Sequence, residues 1–124
     1  MGVALHLFHL LGVVPFFFYI ATARASMPEA VFYFLIVLAS VLILVHSYKA
    51  FVRIRSGSTY FWVNLVHVLI VAPLLLFIGI KGKTTPRAAY EGLLLVTFGA
   101  LGYHLKLLAE DLAVPYAPVY ASSS

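Results

Sequence analysis

His9-Leu10-Leu11-Gly12-Val13-Val14-Pro15 and His67-Val68-Leu69-Ile70-Val71-Ala72-Pro73 decide the fold. In both stretches a histidine stands six residues before a proline, inside a run with no charge. Each member of the second stretch lies 58 positions after its partner in the first. The same offset pairs Pro28 with Pro86 and His46 with His104. Aligned at that offset without a gap, residues 7–46 and 65–104 share 10 identities. Six of those are Leu, Val, Ile or Ala, which an apolar chain produces freely. The other four use four of the 5 histidines and four of the 6 prolines, so composition does not account for them. The pattern predicts tandem duplication of a helical hairpin, with repeat units 3–55 and 61–111.

Composition sets the solvent. The 124-residue chain is 64% hydrophobic and 10% charged, with a mean hydropathy of +1.06. Water-soluble domains carry about 25% charged residues. So few charges cannot cover a water-facing surface, and the expected partner is a lipid bilayer. No cysteine is present, which excludes disulfides, thiolate metal sites, iron–sulfur clusters and c-type haem attachment. The net charge of +4 comes from basic residues near the expected helix ends, beside lipid phosphates. No Lys/Arg run is interleaved with aromatics, so nucleic acid is not an expected partner.

Four segments reach the ~20 residues needed to span a bilayer. The first covers residues 3–22. No Lys or Arg precedes it, as a secretory signal would require, and its repeat partner lies mid-chain, so it reads as a retained helix. The second runs from about Pro28 to Arg53, with Ser26 as candidate cap and Glu29 at the positive end of the helix dipole. Ser56-Gly57-Ser58 is the central turn, and Tyr60, Phe61 and Trp62 mark the next interface. The third segment runs to about Ile80. The fourth covers about 86–111, with Thr84 or Thr85 as cap. Its Ala88, Gly92 and Gly99 share one side and predict close helix approach there. The expected architecture is all-α: one four-helix transmembrane domain over residues 1–112, followed by a Pro/Tyr/Ser tail over 113–124. That tail carries Pro115-x-x-Pro118, a minimal extended-peptide pattern.

Each unit has two helices, so both units enter the membrane in the same sense. A pseudo-twofold axis along the membrane normal follows, with both termini on one side. His46 lies ~27 Å along its helix from Pro28, and His9 ~20 Å from the same connection. All four helices therefore offer a histidine at a similar depth, near the side of the termini. Lys49, Arg53, Arg55 and Lys106 on that side balance Arg24, Lys81, Lys83 and Arg87 on the other. Charge therefore does not set the orientation, and nothing in the chain names the membrane.

A polar imidazole inside a bilayer needs a partner, and three readings compete. In the first, His9, His46, His67 and His104 bind haem b or a single transition-metal ion, with electron transfer as a possible role. Imidazole suits iron, copper and zinc, and bundle cores are where such centres sit. Gly12, just after His9, would leave room for a flat macrocycle. His6 and Asn64, one turn before His9 and His67, are candidate supporting donors. Lys49 and Arg53 share a helical face with His46 and could meet haem carboxylates or lipid phosphate. In the second reading the histidines line a proton or ion path, as in a channel or transporter. In the third they are interhelical hydrogen-bonding groups in a structural subunit, either a homo-oligomer or part of a larger membrane complex. Glu91 is expected to pair with Arg87 one turn away. No phosphate loop, zinc-protease motif or nucleophile elbow is present, so an enzyme is not the expected reading.

Overall fold

The computed structural model describes residues 2–113; the Pro115-x-x-Pro118 pattern lies outside them. Four helical segments account for nearly all of this chain: α1 (Val3–Ser26), α2 (Glu29–Arg55), α3 (Phe61–Thr84) and α4 (Arg87–Ala113). All four are long and apolar enough to cross a membrane. The ends of α2 and α4 fall within about two residues of the sequence expectation, whereas α1 and α3 run about four residues further, through the 3-10 turns at Arg24–Ser26 and Gly82–Thr84.

α1 and α3 are not α-helical throughout. His9–Val13 and His67–Val71 are π-helical turns, each placed just before its proline. The Val14 N–H reaches the His9 carbonyl, and the Ala72 N–H reaches the His67 carbonyl, five residues back in each case. Pro15 and Pro73 have no N–H, and a proline ring clashes with the carbonyl four residues before it. Widening the preceding turn lets each helix continue past its proline. The sequence reading foresaw a proline distortion but not this form of it.

Each element of the second half starts and stops 58 residues after its counterpart in the first. Val3–Phe8 matches Phe61–Val66, His9–Val13 matches His67–Val71, and Val14–Ala23 matches Ala72–Lys81. The short 3-10 turns at Arg24–Ser26 and Gly82–Thr84 match, as do Glu29–Arg55 and Arg87–Ala113. Both connections turn through a residue at φ 55°, Arg24 in one and Gly82 in the other. Glycine adopts that conformation freely, whereas a residue with a Cβ is strained there.

Two details of the sequence reading are corrected. Ser26 does not cap α2: its hydroxyl donates back to the Ala23 carbonyl. Thr84 and Thr85 likewise turn back, to the carbonyls of Lys81 and of Gly82 and Ile78. Pro28 precedes α2, and its carbonyl accepts the first 3-10-type bond from the Val31 N–H, as Pro86 does for Ala89. Close helix approach is also not at Gly92 or Gly99, where an added Cβ meets ordinary contact or open space, and Ala88 is exposed. It is at Gly79 of α3, where a Cβ would fall 2.9 Å from the Phe32 carbonyl oxygen and 2.7 Å from Ile36 of α2.

The tightest helix packing crosses the halves. α1 lies along α4, and α2 lies along α3. The apolar core fills the end of the bundle that carries the 24–28 and 82–86 connections. There Phe17, Ile20 and Met27 pack with Phe32, Leu35, Leu75, Ile78, Tyr90 and Leu93. The opposite end, near the first residue of α1 and the α2–α3 turn, is polar inside. It buries His6, Asn64 and His104.

Arg24→Gly should raise the stability of the detergent-solubilised chain by about 1 kcal/mol, through relief of backbone strain less the added flexibility of glycine. Gly79→Val should lower it by roughly 1–3 kcal/mol, because the α2 backbone stands in the way. Thermal unfolding followed by circular dichroism checks both signs.

Candidate functional site

The π turns place His9 and His67 at matched positions, and the same local bond holds each ring. His9 Nδ1 lies 2.8 Å from the Leu5 carbonyl oxygen, and His67 Nδ1 lies 2.7 Å from that of Val63. A carbonyl oxygen only accepts, so Nδ1 must carry the proton in both rings. Nε2 is then the nitrogen with the free lone pair.

Each of these rings stacks on the histidine of the helix packed beside it. His9 lies on His104, with centroids 4.1 Å apart and planes 16° from parallel. His67 lies on His46 at 4.2 Å and 5°. The four histidines chosen from the repeat therefore meet as two stacked pairs, each spanning both halves of the chain. Among the described residues, no three His, Cys, Asp or Glu side chains are grouped so as to hold one ion.

The second histidine of each pair is also held at Nδ1. His46 Nδ1 lies 3.0 Å from Asn64 Oδ1, to which it donates. His104 Nδ1 lies 3.1 Å from His6 Nδ1, and His6 Nε2 lies 3.3 Å from Asp111 Oδ2. The carboxylate accepts, so Nε2 of His6 carries a proton. With His6 neutral, its Nδ1 accepts and His104 Nδ1 donates. All four rings then present an unprotonated Nε2, and none of these atoms forms a hydrogen bond among the described residues.

His6 and Asn64 each hydrogen-bond a ring on the neighbouring helix, His104 and His46, rather than the histidine one turn away on their own. Asp111 was missed. It lies two turns after His104 on the same face of α4, so its spacing was there to be read. Gly12 is exposed beside Phe8 and opens no space between helices. Lys49 is exposed. Arg53 Nη1 donates to the Tyr60 carbonyl at 3.2 Å. The Arg87–Glu91 pair forms as expected, on the exposed surface at the far end.

The equivalence of the halves breaks at one layer. Residue 58 positions before Asp111 is Arg53, and the counterpart of His6 is Asn64. Asn64 is 2% exposed, and its Nδ2 has no hydrogen-bonding partner among the described residues. Comparison with protein families, curated proteins and solved structures finds no match, so the site is read from its own geometry.

Asp111→Ala should cost about 1–3 kcal/mol of stability, because it leaves the buried His6 Nε2–H without an acceptor. The matched change Arg53→Ala removes an exposed bond and should cost well under 1 kcal/mol. Unfolding of the two variants side by side measures the difference.

Proposed function

We propose that this chain is a four-pass integral membrane protein, formed by tandem duplication of a helical hairpin. Its histidines hold a transition-metal centre, haem iron in the first instance, through Nε2. The observation that carries the reading is the shared state of four rings: Nδ1 is committed as donor, and Nε2 is free. A metal-ligating histidine is ordinarily held in this way, by an acceptor on its other nitrogen that sets tautomer and ring angle. Two halves with matched boundaries support the duplication. An even number of helices per unit puts both termini on one side, with a pseudo-twofold axis along the membrane normal.

The donor set fits a two-ligand centre better than a bare ion. A bare ion needs three or four convergent ligands, which the described residues do not gather. The in-plane lone pairs of two stacked, parallel rings do not meet at one point. One ring of each pair would ligate a shared centre, with its stacked neighbour holding it in place. The carbonyls of Leu5 and Val63, with His6 and Asn64, fix the ring angles. A bound haem or metal ion would supply one-electron redox chemistry or Lewis acidity, which this chain's own side chains lack.

Transmembrane conduction is less well supported. The half of the bundle beyond the histidines is filled by Phe17, Ile20, Leu35, Leu75, Ile78 and Leu93. The Thr97 hydroxyl in that region bonds back to the Leu93 carbonyl. A proton leaving the histidines in that direction meets a dry plug. A purely structural subunit would need each imidazole satisfied, and the free Nε2 atoms argue against it.

The test is an absorption spectrum with metal analysis on the detergent-purified chain, as isolated and after addition of haem, beside His46→Ala and His104→Ala. A Soret band or stoichiometric metal that is lost or shifted in at least one variant is the expected result. A folded protein that stays colourless and metal-free in both states overturns the proposal.

A further inference from the structure

Asn64 Nδ2 is a buried donor with nothing to bond, and such groups are costly in a native interior. The other half of the molecule shows what is missing. At the matched position the outer nitrogen of His6 donates to Asp111, so that half closes itself with its own carboxylate. In the Asn64 half the place of Asp111 is taken by Arg53. An anion has been exchanged for a cation, and the donor has lost its acceptor. Lys49, one turn after His46 on α2, adds a second positive charge.

We infer that the Asn64–Arg53–Lys49 corner binds an anionic oxygen headgroup, carboxylate or phosphate, which supplies from outside what Asp111 supplies from within. One oxygen of the headgroup accepts from Asn64 Nδ2, and its charge is balanced by Arg53 and Lys49. Arginine suits this role because its planar fork matches an oxyanion. Asn64 lies three residues into α3, about 4.5 Å of helical rise, where an amphiphile's headgroup would reside. The matched corner at His6 repels the same ligand, because Asp111 already fills it. A haem carboxylate is one source of the group, and only that source rests on the metal reading. A fatty-acid carboxylate or a lipid phosphate meets the same donors without a metal.

The full chain in a nonionic, phosphate-free detergent is titrated with laurate, with phosphatidylglycerol and with the uncharged dodecanol. Trp62, the 1 tryptophan of the chain, lies two residues before Asn64 and reports binding by fluorescence. The Asn64 side-chain amide, followed by 15N NMR, reports where binding occurs. Laurate, phosphatidylglycerol or both should saturate the signal and move the Asn64 amide, and dodecanol should not. Saturation by laurate alone identifies a carboxylate site, and by phosphatidylglycerol alone a phosphate site. Arg53→Asp should weaken binding at least tenfold. Asn64→His combined with Arg53→Asp, which rebuilds the closed corner of the other half, should abolish it. An Asn64 amide unmoved by both anions, an equal response to dodecanol, or unchanged affinity in Arg53→Asp overturns the inference. A haem arm, comparing haem with its dimethyl ester, separates this result from the metal reading. Laurate binding without a Soret band sinks only the metal, and haem bound no better than its ester, with no response to laurate, sinks only the anion corner.

Discussion

The bond from His9 Nδ1 to the Leu5 carbonyl, with its counterpart from His67 to Val63, is the interaction on which the rest of the site depends. It fixes the tautomer of the ring and the direction of the free nitrogen. It also lies where the helix changes pitch, so the ring angle and the proline accommodation are set together. A π turn widens the helix by one residue and is frequent at functional positions. Here it occurs twice, at the same distance before the same residue type. Without the pinned ring on α1, His104 would have no face to stack on, and the same holds for His67 and His46.

The bundle divides its interior between two kinds of chemistry. One end is closed by apolar side chains that leave no polar route through the described residues, apart from hydroxyls bonded within their own helix and the isolated Tyr90 hydroxyl. The other end buries His6, Asn64 and His104, and it carries Asp111, Lys49 and Arg53. The two halves have matched element boundaries, and both carry a stacked histidine, but they differ where His6 stands against Asn64 and Asp111 against Arg53.

Much of this was legible in residue order, because the evidence was rare residues rather than apolar ones. His9, Pro15, Pro28 and His46, with their partners, located the helices, the connections and the four rings. The pairing of rings was not legible, because the offset says which residues are equivalent but not which helices touch. His9 meets His104 rather than its hairpin partner His46, since the packing crosses the halves. The π turns were hidden for a related reason: proline announces a lost hydrogen bond but not how the chain recovers it. Ser26 and Thr85 have the composition of caps, yet each hydroxyl found a nearer carbonyl behind it. Gly92 and Gly99 were read as contact points from spacing alone, whereas Gly79, in a matched position to Ala21, is where the backbones meet.

The most direct measurement of the central claim is the 15N spectrum of the histidine rings, recorded on the full chain in micelles before and after addition of haem. The account predicts Nδ1-protonated rings at His9, His46, His67 and His104, the reverse of the tautomer that the free histidine side chain favours. It also predicts that haem shifts or broadens the Nε2 signals of at least one ring in each stacked pair. Rings protonated at Nε2, or Nε2 signals indifferent to haem, would contradict it.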